Sequence, residues 1–145
     1  MDEVREFRAS LRALVRALDK SLAGKTAVSA VTTAQCHLLL EIAERGEGSV
    51  GEFADSLGLD QSTLSRTADS LVKLGLAERE PDPENRRRQI LSLSKEGKKR
   101  AESINRLCDS AYGKVLSRAA GQKKKTMLEG LSILIAALEA EGEKE

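Results

Sequence analysis

The sequence predicts a mainly α-helical fold with one small β-hairpin wing, and three features carry that expectation. Apolar residues recur at steps of three and four through most of the 145 residues, placing them on single helical faces. Strand-like alternation is confined to two short stretches, LAERE and RQILSLS. Both prolines of the chain, Pro81 and Pro83, fall between those stretches, where they rigidify a hairpin loop and keep it from becoming strand.

The elements follow in order. Val4, Phe7, Leu11, Leu14, Val15, Leu18 and Leu22 share one face of a first helix, Gly24 reads as its stop, and Ala27–Val31 as a short linker. A second helix begins at Thr32 or Thr33 as N-cap and ends before Gly46, with Leu38, Leu39, Ile42 and Ala43 as its buried stripe. Gly48–Val50 has room for one step of strand. A short helix over Gly51–Leu57 buries Phe53, Ala54 and Leu57, Gly58 supplies a left-handed turn, and Asp60 caps the next helix. That helix buries Leu64, Ala68, Leu71 and Val72 and shows Gln61, Ser62, Ser65, Arg66 and Asp69 on its opposite face. A short helix, a glycine turn and a helix with a small polar N-terminal face make the helix-turn-helix pattern. Gly75 ends it, and the hairpin follows as a wing with Arg86-Arg87-Arg88 at its tip. Ser94 caps a long helix with the stripe Ala101, Ile104, Leu107, Cys108, Ala111 and Val115. Gly121 breaks the chain before a last helix carrying Met127, Leu128, Leu131, Leu134, Ile135 and Leu138.

Composition narrows the function classes. The length favours one domain with a connected core. Hydrophobic residues are 40% and charged residues 32%, a soluble composition, and Phe7, Phe53 and Tyr112 are the whole aromatic complement, so the core is aliphatic. Stacking platforms for single-stranded nucleic acid need several exposed rings and are excluded. Net charge is +1, but Gln61–Arg100 holds ten Lys/Arg against six Asp/Glu. A charge run is ordinarily a solvated face and points to nucleic acid only when the fold presents it. Two distant cysteines make no disulfide framework, the N-terminus Met1-Asp2-Glu3 lacks a signal-peptide pattern, and no apolar run spans a membrane. A cytoplasmic protein is expected.

The stretches TTAQCHLLLEI, SVGEFADSLGLDQSTLSRTADSLVKLGLAERE and DPENRRRQILSLSKEGKK resemble the MarR family of winged helix-turn-helix transcription regulators, from about Thr32 to Arg100. The resemblance implies residues 1–32 as the N-terminal helix of a dimerisation region, 33–96 as the DNA-binding region and 97–145 as C-terminal dimerisation helices. It further implies a homodimer whose terminal helices interdigitate, recognition helices in the major groove, wings toward the minor groove, and release by a small ligand or oxidation. The spare apolar faces of the terminal helices fit that interface, with a monomeric bundle as the alternative. A repressor is the expected role, although activation and repression differ only in where the operator lies. Many members carry Asp before the arginine pair where this chain has Asn85, which weakens the case for a wing-stabilising ion pair.

In this reading Ser62, Thr63 and Ser65 donate to phosphate at the positive end of the recognition helix. Gln61 and Arg66 are long enough for base edges, adenine and guanine respectively. Arg86 and Arg87 suit a narrow minor groove, while Arg88 either joins them or faces the strand or a carboxylate. The bland alternatives are helix capping for Ser62 and Ser65 and an ion pair with Asp69 for Arg66. Cys36, His37 and Cys108 are conceivable thiol or soft-metal sensor residues, but their spacing matches no compact zinc motif and both cysteines suit a core. No cofactor is expected. An enzyme is disfavoured by the lone His and the lack of a Gly-rich phosphate loop, an activated nucleophile or a framed carboxylate pair. A winged helix serving only protein interaction is the other competitor, opposed by the triple arginine.

Overall fold

The structure, a computed structural model, describes residues 2–142, with side chains described outside 22–29. The chain runs α1 (Asp2–Ser29), α2 (Thr33–Arg45), β1 (Gly48–Ser49), α3 (Val50–Leu57), α4 (Gln61–Lys73), β2 (Ala77–Pro81), β3 (Gln89–Leu93), α5 (Lys95–Ser117) and α6 (Gln122–Gly142). It is mainly α with a small three-stranded antiparallel sheet in the order β1-β3-β2. By internal contacts it divides into Met1–Leu107 and Cys108–Glu145.

In the first unit, the local caps agree with the apolar pattern. Thr32 accepts from Gln35 N–H at 3.2 Å while the Gln35 side chain accepts from Thr32 N–H at 2.9 Å, closing a capping box on α2. Ser49 and Glu52 form the same box on α3. Leu38 and Leu39 of α2, Phe53 of α3, Leu64 and Leu71 of α4 and Leu91 of β3 are fully buried together. Each such leucine contributes about 1.5–3 kcal/mol by leaving water. The hairpin pairs Ala77 with Leu93, Arg79 with Leu91 and Pro81 with Gln89, and β1 pairs Gly48 with Leu91 on the far side of β3.

Ser94 ties this core to α5. Its hydroxyl donates to Gly75 O at 2.6 Å and accepts from Gly97 N–H at 3.0 Å, and its own N–H donates to Leu76 O at 3.1 Å. Gly97 makes that approach feasible, since a Cβ there would stand 1.8 Å from the Leu76 carbonyl oxygen.

Four expectations need correction, and one more lies outside the described side chains. The first helix does not stop at Gly24 but continues to Ser29, and the left-handed residue that turns the chain is Ala30, with φ 55°. A helical glycine costs only about 1 kcal/mol and need not end a helix. Leu22, assigned to the apolar stripe, lies outside the described side chains. Ala43 and Val72 are exposed, because the stripes of α2 and α4 that meet the core are narrower than their apolar content. Pro81 does not stay out of the sheet but is the last residue of β2, an edge strand, where a missing N–H is tolerated.

In the second unit, Gly121 with φ 54° turns the chain between α5 and α6. Helix α6 buries no residue, and Leu128, Leu131, Ile133, Ile135 and Leu138 are all exposed. Among the described residues no helix is long and apolar enough to cross a membrane.

Candidate nucleic-acid interface

The turn between α3 and α4 is set by Gly58, whose φ of 63° is cheap only for glycine, and by Leu59 N–H donating to Ala54 O at 2.9 Å. Asp60 then caps α4 through both carboxylate oxygens. Oδ1 accepts from Ser62 Oγ at 2.6 Å and from Thr63 N–H at 2.8 Å, and Oδ2 accepts from Thr63 Oγ1 at 2.8 Å. The Ser62 hydroxyl, the two Thr63 donors and the nearby Arg66 charge hold the Asp60 carboxyl far below the ordinary carboxylate range. Arg66 Nη2 donates to Thr63 Oγ1 at 3.3 Å, so Thr63 both accepts and donates.

Arg79, which the sequence reading passed over, joins the wing to this helix. It lies on the same face of β2 as the buried Ala77 and points at α4. Its Nη1 reaches Asp69 Oδ1 at 2.7 Å and Ser65 Oγ at 3.0 Å. Asp69 is thereby engaged by Arg79 and not by Arg66. A charged residue on the inward register of a strand was the signal: such a residue needs a partner, and α4 offers one.

The wing tip is held by short-range bonds. Asn85 Oδ1 accepts from Arg87 N–H at 3.2 Å and Asn85 O from Arg88 N–H at 2.8 Å. Asp82 Oδ1 accepts from Glu84 N–H at 3.0 Å, and Asp82 N–H donates to Arg88 O at 2.9 Å. Asn85 thus serves as the acceptor of an Asx-type turn, work its amide oxygen does as well as a carboxylate would. The ion pairs come from elsewhere: Arg88 meets Glu52 at 2.6 Å and Asp82 at 3.9 Å. Arg86 and Arg87 are exposed.

One open cleft of about 600 Å³ brings most of these groups together. Gln61, Ser62 and Ser65 of α4, Arg79 of β2 and Arg87 and Arg88 of the wing line it. Gly51 also lines it, and a Cβ there would stand 3.4 Å from Gln61 Nε2. Arg66 and Arg86 are exposed outside that lining. The hydroxyl protons of Ser62 and Thr63 are spent on Asp60, so capping, and not an open donor set, describes these two side chains here. Ser65 accepts from Arg79.

The sensor candidates fall in both units. Cys36 is half-buried, His37 is exposed, and Cys108 is half-buried in the second unit. Among the described residues no three His, Cys, Asp or Glu side chains stand together as metal ligands would.

Residues 31–88, which hold this interface, match the model of the MarR family. A curated relative, the uncharacterized HTH-type transcriptional regulator YfiV of Bacillus subtilis (strain 168), is 28% identical over 105 residues, 72% of this chain. The matched stretch makes up 66% of that relative, just under two thirds of its length. The fold is shared with FabT of Streptococcus pneumoniae, solved in complex with DNA, at a TM-score of 0.81 and 16% identity, covering 92% of this chain and 98% of that one. It is also shared with NadR, solved in complex with 4-hydroxyphenylacetate, at a TM-score of 0.73 and 24% identity, covering 88% and 89%. From its capped recognition helix to its basic wing, the stretch over residues 31–88 is similar to the MarR family.

Proposed function

We propose that the chain is a homodimeric DNA-binding regulator, acting as a repressor, which grips an inverted-repeat operator through α4 and the β2–β3 wing. The observation that carries this reading is the shared cleft: the polar N-terminal face of α4 and the wing arginine Arg87 open onto one side of the molecule. The fold it shares with FabT, a protein solved on DNA, supports the same use of that side. Gln61 and Arg66 read base edges, Ser65 meets phosphate, and Arg86 and Arg87 enter the minor groove. Ser62 and Thr63 contribute by holding Asp60, which fixes the first turn of α4.

Residues 33–96 form the reader, and residues 1–32 and 97–145 the dimerisation region. Support comes from apolar residues that the described chain leaves bare: Val4, Phe7 and Val15 on α1, Ile133, Ile135 and Leu138 on α6. Stable monomers rarely expose apolar area on that scale, and a second copy covers it. A twofold dimer places half-site centres about one helical turn apart. Release is assigned to a small effector. A cleft of about 450 Å³ between α2, β3 and α5, with Ile42, Leu93 and Ala101 beside Lys98 and Asn105, is of the size and mixed polarity that a small ligand needs. NadR, of the same fold, was solved with such a ligand. A thiol signal through Cys36 or Cys108 is the lesser alternative.

The test is selection of duplexes from a random pool by the purified protein. Enrichment of a palindromic site, bound by two chains per duplex, is expected. Failure to retain any duplex at low salt would reduce the protein to an interaction module.

A further inference from the structure

The three consecutive arginines are not equivalent. Arg86 and Arg87 stand at the tip of the wing, whereas Arg88 turns back onto the protein. Its Nη2 donates to Glu52 Oε1 at 2.6 Å, and its Nε lies 3.9 Å from Asp82 Oδ2. Neither carboxylate is a loose surface group. Glu52 Oε2 accepts from Ser49 N–H at 3.1 Å as the second half of the α3 capping box. Gly48 leaves space for that carboxylate, since a Cβ there would stand 2.9 Å from Oε2. The Asp82 side chain is only 16% exposed and holds Glu84 N–H, while the Asp82 N–H is bonded to the Arg88 carbonyl.

One guanidinium therefore joins the first helix of the helix-turn-helix to the base of the wing loop. We propose that Arg88 is a positioning residue and not a DNA ligand: with Glu52 and Asp82 it latches the wing to α3 and sets where Arg86 and Arg87 stand relative to α4. This rests on the DNA-binding reading above. A guanidinium already facing two carboxylates has little potential left to offer a phosphate. Withdrawing it leaves those carboxylates unopposed beside the incoming backbone. Residues 83–88 are all exposed, so no apolar packing competes with the latch in fixing the loop. Because the Arg88–Glu52 pair is itself about half exposed, it adds little to global stability. Its effect falls on the posture of the wing.

The test is a binding titration of the full chain on a duplex that the wild type selects from a random pool, over a range of salt. The proteins are wild type, Arg88→Gln, Glu52→Gln and the double variant. Gln at position 52 keeps the capping box and removes only the charge. The latch predicts that each single variant weakens binding by a factor of about two to five. It predicts that the double variant is no weaker than either single one, and that the salt slope stays at the wild-type value. A direct phosphate contact behaves oppositely: Arg88→Gln lowers the slope by about 1 and Glu52→Gln tightens binding, and either result overturns the proposal. If the wild type retains no duplex, the DNA reading fails, and the latch is judged by amide exchange. Both single variants should then speed exchange at the Asp82 and Arg88 amides, and unchanged exchange refutes it.

Discussion

Two regions of this chain use the same aliphatic residues to opposite ends. In the reader, Leu38, Leu39, Leu64, Leu71 and Leu91 vanish from solvent within one protomer. In α6, a helix at least as rich in leucine and isoleucine, no side chain is buried and Ile133 is 71% exposed. Apolar periodicity alone does not separate a core from a surface waiting for a partner. Helices α2, α3 and α4 each carry a side-chain N-cap that fixes the helix start before packing begins, as does α5 through Ser94. The reader is specified by agreeing local and long-range signals, whereas the bare apolar residues of α6 fit the second copy proposed above.

The contrast is broken hardest at glycine. Gly97→Ala sets a Cβ against the Leu76 carbonyl oxygen, a backbone atom that cannot swing away. A loss of about 4 kcal/mol or more in urea unfolding is expected, above the usual cost of overpacking. Gly130→Ala, in α6, meets nothing within 4 Å in the protomer and should stabilise the helix slightly. A loss at Gly130 instead would locate the covering copy.

Leucine comes next. Leu71→Ala should cost about 3 kcal/mol, through lost burial and a residual cavity. Ile133→Lys should leave the reader folded and raise the dimer dissociation constant at least about tenfold in sedimentation equilibrium. Association unchanged by that lysine would remove α6 from the interface.

A smaller effect sharpens the role of capping. The Asp60 carboxyl is held well below its ordinary value, so the charged form stabilises the folded state. That contribution is present above the unfolded pKa, about 4, and is lost as pH falls through the lower folded value. The advantage of wild type over Asp60→Asn should therefore be constant from neutral pH to about 5 and shrink below about 4. A difference that persists through acid would assign the effect to hydrogen bonding alone.

Much of this was legible in the residues. The glycine turn at Gly58, the Asp60 cap, the step of strand at Gly48 and the hairpin around the prolines all follow from local chemistry, and all are present. What escaped was long-range. The Arg79 contacts with Ser65 and Asp69 cross 14 and 10 positions, and the Arg88–Glu52 pair crosses 36. No periodicity encodes such pairs, although Arg79 on the inward register of β2 announced that a partner was needed. Ser62 and Thr63 misled for a different reason. The small hydroxyls that suit a phosphate contact also suit a cap, and the neighbouring Asp60 took both protons.

Of the wing arginines, Arg86 and Arg87 are the two proposed to meet DNA. The most direct measurement is the salt dependence of duplex binding by Arg87→Ala beside wild type. If Arg87 neutralises a phosphate flanking the minor groove, its loss lowers the slope of log affinity against log salt by about 1. A slope identical to that of wild type would contradict wing contact with DNA.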